Sequence, residues 1–490
     1  MKNNLFISKG LILVNVLVFS SIAIIVTTAM VNWAATMLKA TKNLTAREQA
    51  FQIAEAGIDY YRWHLAHFST DYKDGTATTT NGPFVHEYND KDGDLLGHFS
   101  LTITPPIIGS TLVKIKSVGT VIEDPTISRS IQVSLAIPSI AKYAMVTNSV
   151  VYYGSGDEVF GPIHSNSGVG FFNGNPKPVA HNIVTSALST FSDNGISCPG
   201  LHFGVFTCVP TADPAPPASV PNRPDVFQAG RKFPVPVVDF SGMTTDLSSL
   251  KTTAQNSGYY RASSGSNGYK IVLKTNDTFD LYRVNSLLSA PSGCKNSNNQ
   301  SGWGTWSINT SGSATTLLGN YAFPANGIMF FEDHIWVEGT INSARLILAA
   351  AAFPVNVNTY KNIIVNNDLL YTNFDGTDTI GLIAQGNFLV GLASQDDLAI
   401  DAAIVAQNGA TIRYYYNNKC KVGSNNYYIR SVLRTYGMFA SNGQGYFAYG
   451  GGSGYTSQPA TYDANLLYSP PPSFPLTSNQ YSVVSWEEVK

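Results

Sequence analysis

The sequence has few charged residues and few cysteines. Only 13% of its 490 residues are Asp, Glu, Lys or Arg, about half of the roughly 25% in an average protein. The 30 Lys and Arg against 32 Asp and Glu leave a formal net charge of −2. Because phosphate backbones are bound by basic surfaces, this balance argues against nucleic acid as a partner. A hydrophobic share of 44% excludes a disordered chain, since that composition can bury a large core.

The sequence also lacks the short motifs that mark many catalytic sites. It contains no G-x-S-x-G elbow, H-E-x-x-H pair, phosphate-binding loop or G-x-G-x-x-G turn after a strand. Glu332, Asp333, His334 and Glu338 cluster near two predicted strands, but hydrolysis needs carboxylates at a controlled separation. We interpret them as solvated turn residues. We therefore expect no enzyme activity, no cofactor and no metal site.

A long apolar run near the amino terminus is the most informative feature. Residues 10–38 carry no charge, and the apolar run over 11–31 is interrupted only by Asn15 and four hydroxyl residues. A helix of about 20 such residues can cross a bilayer, and Lys2 and Lys9 before it predict an inside amino terminus. The run is longer than a secretory h-region. It predicts a single-pass membrane protein with an exported carboxyl-terminal region.

The apolar run continues without proline into an amphipathic segment that ends near residue 67. Apolar or small residues recur there at helical spacing: Ala50, Phe51, Ala54, Gly57, Ile58, Tyr61 and Leu65. We predict one helix over 11–66, half in lipid and half in water. An anchor alone would not need this length.

Short segments after the helix predict a small antiparallel β head over residues 67–139. They cover 84–88, 95–103, 112–122 and 127–137, and alternate apolar with polar residues most clearly in the last two. Asp90, Asp92 and Asp94 form an acidic turn between the first two segments. The turn lacks the glutamate of a calcium loop, so we interpret it as solvated.

The first 60 residues resemble those of type IV pilins. The resemblance rests on a short basic leader ending in Lys9-Gly10, on the apolar run, and on a block of small residues with one acid. That block is Ala54, Glu55, Ala56, Gly57 and Ile58. The PilX-type minor pilins and the related K-type pseudopilins of type II secretion are most similar. The resemblance implies a prepilin-like leader over 1–10, a prepilin peptidase that cuts between Gly10 and Leu11, and a pilin-like helix over 11–66.

The resemblance also gives Asn15 a meaning. Most pilins have glutamate at the fifth position of the mature chain, where it neutralises the amino terminus of the adjacent subunit. Counted from Leu11 this position is Asn15, which cannot form the ion pair. Some tip-type subunits of the family lack this glutamate, so the resemblance implies a rare subunit that primes, caps or modulates assembly. The alternative is that Asn15 is merely tolerated in a transmembrane helix.

About 350 residues follow the head and predict a large, mostly β module. Its short apolar runs, such as 327–331, 346–351, 380–384 and 399–406, lack the helical stretches of βαβ units. Small aliphatic residues with Asn and Gly at corners favour a β-solenoid, or β-helix, over a sandwich, although no strict period is present. The predicted fold class is α+β: a pilin-like helix with a small antiparallel sheet, then this module.

We divide the module into segments of different composition. Residues 140–181 begin it, 182–325 form an irregular, loop-rich insertion, 326–420 form the solenoid core, and 421–490 close the chain. The insertion contains a Pro/Ala-rich stretch and a Ser/Asn/Gly-rich stretch.

The four cysteines of an exported chain predict two disulfides, for which three connectivities are open. Cys198 and Cys208 are close in sequence and form the preferred pair, which would close a loop tip. Cys294 and Cys420 would then attach a loop to the module. A zinc site is disfavoured because no C-x₂-C is present.

These features predict a minor type IV pilin-like or pseudopilin-like subunit at the cell surface or in a pilus. Its expected partners are a prepilin peptidase, other pilin subunits, the pilus assembly machinery and the lipid bilayer. The module would bind a surface ligand through Tyr- and Asn-rich loops. Two alternatives stay open: a membrane-anchored β-helix enzyme acting on polysaccharide, and a static anchored surface-binding protein that keeps its leader.

Overall fold

The computed structural model describes residues 9–106, 110–172, 174–193, 198–240, 243–421, 425–467, 469–477 and 480–489. Residues 1–8 of the predicted leader lie outside this description, as do the side chains of 9–11 and 243–246. The chain divides into two compact units. The helix unit comprises Met1–Pro105, Val113–Leu135 and Val483–Lys490, and the β module comprises Pro106–Leu112 and Ala136–Ser482.

The helix unit begins with one long helix and four strands. They are α1 (Lys9–His67), β1 (Phe84–Asn89), β2 (Leu95–Thr104), β3 (Val113–Val121) and β4 (Ser128–Ala136).

The β module contains many short strands and one further α-helix. In chain order these are β5 (Met145–Thr147), β6 (Val151–Tyr153), β7 (Glu158–Val159), β8 (Ile163–Ser165), β9 (Val169–Phe171), β10 (Val179–Ala180), β11 (Val184–Ser186), β12 (Thr190–Asp193), β13 (Gly200–Phe203), β14 (Val205–Thr207), β15 (Arg231–Lys232), α2 (Met243–Ser257), β16 (Tyr259–Arg261), β17 (Gly268–Leu273), β18 (Thr278–Val284), β19 (Thr315–Ala322), β20 (Ile328–Phe331), β21 (Ile335–Ile341), β22 (Arg345–Ala350), β23 (Ile363–Ile364), β24 (Leu369–Tyr371), β25 (Thr379–Ala384), β26 (Phe388–Leu389), β27 (Asp397–Ala406), β28 (Thr411–Ile412), β29 (Ile429–Ser441), β30 (Ala448–Tyr449), β31 (Ser453–Ser457) and β32 (Ala460–Tyr462). Short 3₁₀ helices cover Ile140–Lys142, Val357–Thr359 and Ala464–Leu467, and the last strand is β33 (Ser482–Val489).

Helix α1 confirms the predicted long amino-terminal helix. Its hydroxyl side chains bond the carbonyl oxygens one turn back, as in Ser21 Oγ to Leu17 O and Thr27 Oγ1 to Ala23 O, both 2.6 Å. Thr28 does the same, and this back-bonding gives these three hydroxyl groups a partner inside the helix. The uncharged, proline-free run is therefore compatible with an apolar surrounding.

The head sheet has the order β1-β2-β3-β4-β33, and the first four strands pair antiparallel. Strand β3 alternates strictly between buried and less buried residues, so one face packs against α1. Sequence reasoning did not foresee β33, because it assigned 421–490 to closing the module. In the structure Val483–Lys490 belongs to the helix unit. The ion pair of Arg129 with Glu488, with N···O 2.5 Å, holds β33 beside β4.

The β module is built on ladders of parallel strands. The first ladder has the order β16, β20, β22, β25, β27, β29, β5, β8, β11, β15. The second has the order β17, β21, β23, β26, β28, and the third β21, β24, β27, β29, β32. The long strands β27 and β29 belong to both the first and third ladders.

The chain does not run through the first ladder in sequence order. Strand β5 lies in the middle, and β8, β11 and β15 extend the ladder to one end. The chain then passes through α2 to β16 at the other end. From there it returns strand by strand to β29, and each strand is one rung of the ladder. Strand β29 pairs with β5, as in Phe439 with Met145.

Both faces of the first ladder are buried. Met329, Leu348 and Leu382 share register and face the interior of the module. Their neighbours on the opposite face belong to a second cluster, which includes Leu247, Leu250 and Ala254 of α2 and Phe474 of the tail. This burial explains the continuous apolar strands, which are typical of parallel sheets covered on both sides.

The prediction of an irregular insertion over 182–325 is wrong in part. This stretch contains α2 and the strands β16, β17 and β18, which start the first two ladders. Leu247, Leu250 and Ala254 have helical spacing, so the signal for α2 was present in the sequence.

Two disulfides are present, Cys198–Cys208 and Cys294–Cys420, which is the pairing preferred from the sequence. Cys294 and Cys420 belong to a hydrophobic cluster between the outer face of the second ladder and the loops that cover it. This cluster also contains Trp336, Leu389 and Tyr416, and Trp303 and Trp306 pack against it. The disulfide therefore joins the loop before β19 to the segment after β28.

Candidate functional site

The amino-terminal half of α1 is an apolar rod with exposed side chains. From Ile12 to Leu44 its large apolar residues are all exposed, from 48% at Val18 to 72% at Phe19. The helix over Ile12–His67 is long and apolar enough to cross a membrane. Asn15 is exposed on this surface. Of the predicted cleavage site, only the backbone of Gly10 and Leu11 is described, and it is helical.

The carboxyl-terminal half of α1 packs on the head sheet through small residues. Ala50 and Ala54 are fully buried, and a Cβ atom on Gly119 of β3 would lie 2.0 Å from the Ala50 carbonyl oxygen. A Cβ atom on Gly57 would lie 2.4 Å from Ser117 Oγ. The helix therefore approaches β3 as closely as its backbone allows.

This packing gives the block at 54–58 a physical reason. Ala54, Gly57 and Ile58 are buried against the sheet, Ala56 is half-buried and Glu55 is exposed. Gly119 pairs with Arg129 of β4, whose guanidinium lies 5.5 Å from the centre of the Phe51 ring. The small residues of the helix and of β3 thus form one close contact.

The acidic residues near 332–338 each contact different protein partners. Tyr260 donates a hydrogen bond to Glu332 at 2.7 Å, and Lys251 pairs with the same carboxylate. Lys270 Nζ lies 2.8 Å from Glu338. Asp333, 2% exposed, accepts from the Ser264 hydroxyl at 2.7 Å and from its amide at 2.8 Å. The expectation that these are solvated turn residues is wrong for Asp333, which is a buried structural acceptor.

His334 is also a structural residue. Its Nδ1 accepts a hydrogen bond from the Asn362 amide at 2.9 Å. Burial lowers the pKa of His334 to about 4. The ring is therefore neutral near pH 7, as an acceptor Nδ1 requires.

Two buried carboxylates lie on the third ladder. Asp401 accepts a hydrogen bond from the Tyr371 amide at 3.0 Å, and Asp463 accepts one from the Tyr436 hydroxyl at 3.0 Å. Burial, with smaller contributions from the carboxylates of Asp368 and Asp463, raises the pKa of Asp401 to about 6. Burial also raises the pKa of Asp463. Ionisation of either group opposes folding.

We expect the stability of the β module to fall as the pH rises from about 4 to about 6. In this window the unfolded chain has lost the Asp401 proton, with an ordinary pKa of 3.8, while the folded chain retains it. The loss is at most about 3 kcal/mol for a shift of roughly two units. In Asp401→Asn the side-chain oxygen can still accept the hydrogen bond from the Tyr371 amide, but the side chain carries no charge. The stability of this variant should therefore fall less as the pH rises.

Urea midpoints of both proteins across this pH range measure the effect. Asp463→Asn serves as a comparison, since its own raised pKa contributes to the remaining slope. Equal slopes in wild type and Asp401→Asn would show that the pKa of Asp401 is the same in the folded and the unfolded chain.

Among the described residues, one group has the ligand types of a metal site: Cys198, His202 and Cys208. Both cysteines are joined in a disulfide, so neither offers a thiolate. His202 Nε2 contacts the Cys198 carbonyl oxygen at 2.6 Å, and its ring stacks on Phe206. The group closes a loop and is not a metal site in this oxidised form.

An asparagine row follows the first ladder where its strands end. Asn148 Nδ2 donates to Asn442 Oδ1 at 2.8 Å, and Asn166 Nδ2 donates to Asn148 Oδ1 at 2.9 Å. Asn166 also exchanges two hydrogen bonds with the Val238 backbone. The three asparagines occupy successive rungs because each follows a paired residue, Ser441, Thr147 or Ser165. The sequence analysis did not predict this row.

Comparisons with known proteins leave the chain without an assigned family. No family model matches it, and no curated protein matches it. Similar solved structures include the competence-associated pilin ComZ from Thermus thermophilus. The alignment covers 91% of this chain and 98% of ComZ at 14% identity, with a TM-score of 0.30. This likeness is too weak to carry an argument, so the function is argued from the geometry of the chain itself.

Proposed function

We propose that the chain is a minor pilin-like subunit that anchors in a membrane through α1 and assembles with other pilin subunits. One observation carries this proposal: α1 is continuous, apolar and exposed in its first half, and packed on an antiparallel sheet through Ala54, Gly57 and Gly119 in its second. A simple anchor does not require a helix of 59 residues joined rigidly to a sheet. Such a helix fits assembly, because its exposed half can exchange lipid for neighbouring helices.

The finer assignment to PilX-type minor pilins is part of this proposal. Residues 1–10 would be removed by a prepilin peptidase, and Leu11 would become the amino terminus. Asn15 would then occupy the position at which other subunits carry an acid. Because an amide cannot neutralise an amino terminus, the subunit fits a role in priming, capping or modulating a filament better than a repeated one.

We also propose that the β module is a β-solenoid displayed at the cell surface or on a pilus. The parallel register of the three ladders and the asparagine row support this architecture. In stacked coils, residues in register on neighbouring strands lie above one another. This explains why Met329, Leu348 and Leu382, which are in register and face the interior, are all apolar. We propose no catalytic role and no cofactor, since the acids near residue 333 are held by protein partners.

The test is the amino-terminal peptide of the full chain from native membranes, identified by mass spectrometry. We expect a peptide that starts at Leu11 in cells with an active prepilin peptidase, and an intact leader in cells without it. Gly10→Val should retain the leader, whereas Gly312→Val, at a site with open space for a side chain, should not. An intact Met1 or Lys2 terminus in the presence of the peptidase would overturn the pilin assignment.

A further inference from the structure

A row of tyrosines, one exposed and the others half-buried, lies in the module beyond the asparagine row. Ser441 of β29 pairs with Thr147 of β5. Tyr446 follows Ser441 by the same number of positions as Tyr152 follows Thr147. They therefore occupy adjacent rungs. Tyr446 is 42% exposed and Tyr152 is half-buried. Burial is the largest cause that raises the pKa of Tyr152 to about 12, and Asp193 is the next.

Further rings extend this row toward the second ladder. The centre of the Tyr446 ring lies 5.9 Å from that of Tyr449, which lies 5.7 Å from that of Tyr415. Gln300 fixes the pair, since its Nε2 donates to the Tyr449 hydroxyl at 2.6 Å and its Oε1 accepts from the Tyr415 amide at 2.8 Å. We call Tyr415, Tyr449, Tyr446 and Tyr152 the aromatic stripe.

The stripe keeps its shape because its supports are rigid. Tyr152 pairs with Gly170, and a Cβ atom on that glycine would lie 2.9 Å from the Tyr152 ring and 2.7 Å from the Phe206 ring. The two rings thus lie across the glycine. Tyr152 also donates a hydrogen bond to Asp193 at 3.2 Å. Ordering these rings costs little entropy on binding, because they are held before a ligand arrives.

An amide-lined cleft lies on the same rungs as the stripe. Asn148 and Asn442 line it a few positions before Tyr152 and Tyr446, together with Asn166, Asn408 and Phe240. Its volume is about 530 Å³, within the roughly 300–1,000 Å³ of sites that hold small ligands. Amides offer both donors and acceptors without charge.

We propose that the aromatic stripe and the amide cleft together bind a neutral polysaccharide chain. A pyranose ring presents C–H groups on its faces, which pack on aromatic rings, and hydroxyl groups on its edge, which pair with amides. Repeated sugar rings on a polymer match the rings of the stripe, whose neighbouring centres lie 5.7 and 5.9 Å apart from Tyr415 through Tyr449 to Tyr446. The surface thus offers both contacts that such a chain needs.

Charge separates this ligand from a single-stranded nucleic acid, which also stacks on aromatic rings. Nucleic-acid grooves add basic residues that follow the phosphates. Among the described residues, Asp193 accepts a hydrogen bond from Tyr152 and Asp239 lines the cleft, and both are acidic. Arg413 lies beneath the stripe, but its side chain is fully buried and bonded to backbone oxygens such as Leu392 O. An uncharged chain therefore fits better than a polyanion.

The test measures binding of cellohexaose, chitohexaose and maltohexaose to the full chain by isothermal titration calorimetry. The protein is held in micelles of an amine-oxide detergent, because sugar-based detergents would compete. We expect binding of at least one hexasaccharide, and a loss of about tenfold in affinity for Tyr446→Ala, as for removal of one stacked ring. Tyr446→Phe keeps the ring and should bind like wild type.

Phe160→Ala is the matched control, because Phe160 is 52% exposed in the same module and stacks on His181, outside the stripe. It should leave binding unchanged. The proposal is overturned if wild type binds none of the three sugars, or if Tyr446→Ala binds them as tightly as wild type. Salt-sensitive, Tyr446-dependent binding of oligo-dT without sugar binding would assign the stripe to nucleic acid instead. Neither result depends on leader processing.

Discussion

Removal of the Cys294–Cys420 disulfide should destabilise the β module more than removal of Cys198–Cys208. The bonded cysteines are separated by 126 and 10 positions in sequence, respectively. A cross-link stabilises mainly by restricting the unfolded chain, and the restriction grows with the length of the closed loop. We expect a loss of about 4–5 kcal/mol for the long loop and about 3 kcal/mol or less for the short one.

Packing adds to this difference. Cys420 is fully buried and Cys294 is 8% exposed, both in the cluster beneath Trp303 and Trp306. Without the bond, the covering loop can leave the outer face of the second ladder. The measurement compares urea midpoints of the double variants Cys294→Ala/Cys420→Ala and Cys198→Ala/Cys208→Ala in the full chain. Equal losses would mean that local packing, and not the cross-link, governs both.

Gly119→Ala should separate α1 from the head sheet. The added methyl group would lie 2.0 Å from the Ala50 carbonyl oxygen and 2.5 Å from the Ala54 amide nitrogen. Both are backbone atoms of a helix and cannot rotate away, so the helix must shift. We expect a loss of about 3 kcal/mol, at the upper end for overpacking. Gly57→Ala should cost less, because its nearest neighbour is the hydroxyl group of Ser117.

Amide hydrogen exchange over α1 and β3 of the full chain in micelles measures this loss locally. Faster exchange is expected at 50–61 and 113–121 in Gly119→Ala. Gly312→Ala, which adds the same methyl group where no atom lies within 4 Å, is the control. Unchanged protection in Gly119→Ala would show that the helix and the sheet are not in close contact.

The helix unit was largely predictable from the sequence because its signals are local. The predicted helix over 11–66 lies within Lys9–His67, and the predicted strand over 84–88 lies within Phe84–Asn89. Alternation of period two and apolar residues at helical spacing are encoded within a few neighbours. Strand β33 was missed because Val483 and Trp486 are about half exposed, and its partner lies far back in the sequence.

The order of the ladders could not be predicted, because the coils differ in length. Met329, Leu348, Leu382, Ile404 and Phe439 stand in register, yet the intervals between them are unequal. A search for a fixed period therefore fails. A usable signal was the corner at which a small residue precedes asparagine, as in Ser441-Asn442, Thr147-Asn148 and Ser165-Asn166. It recurs at irregular spacing and marks the ends of β29, β5 and β8.

The candidate binding surface was foreseen only as Tyr- and Asn-rich loops. Its geometry depends on which rungs are adjacent, and Tyr446 and Tyr152 become neighbours only through the pairing of β29 with β5. Nothing local in the sequence indicates that contact. The carboxylates near residue 333 show the reverse case, since their proximity in sequence suggested a cluster and the fold gives each a different partner.

Because β5 pairs with β29, the first ladder can be completed only after most of the chain has been synthesised. Strand β5 is the earliest rung of the module, but β29, which covers its other edge, is among the last to be made. If the module is exported in order from the end of α1 onward, that edge stays open until β29 has crossed the membrane. Open edges pair with other strands and cause aggregation. A chain stalled before β29 emerges would therefore be the aggregation-prone species, and passage of the last rungs would protect it.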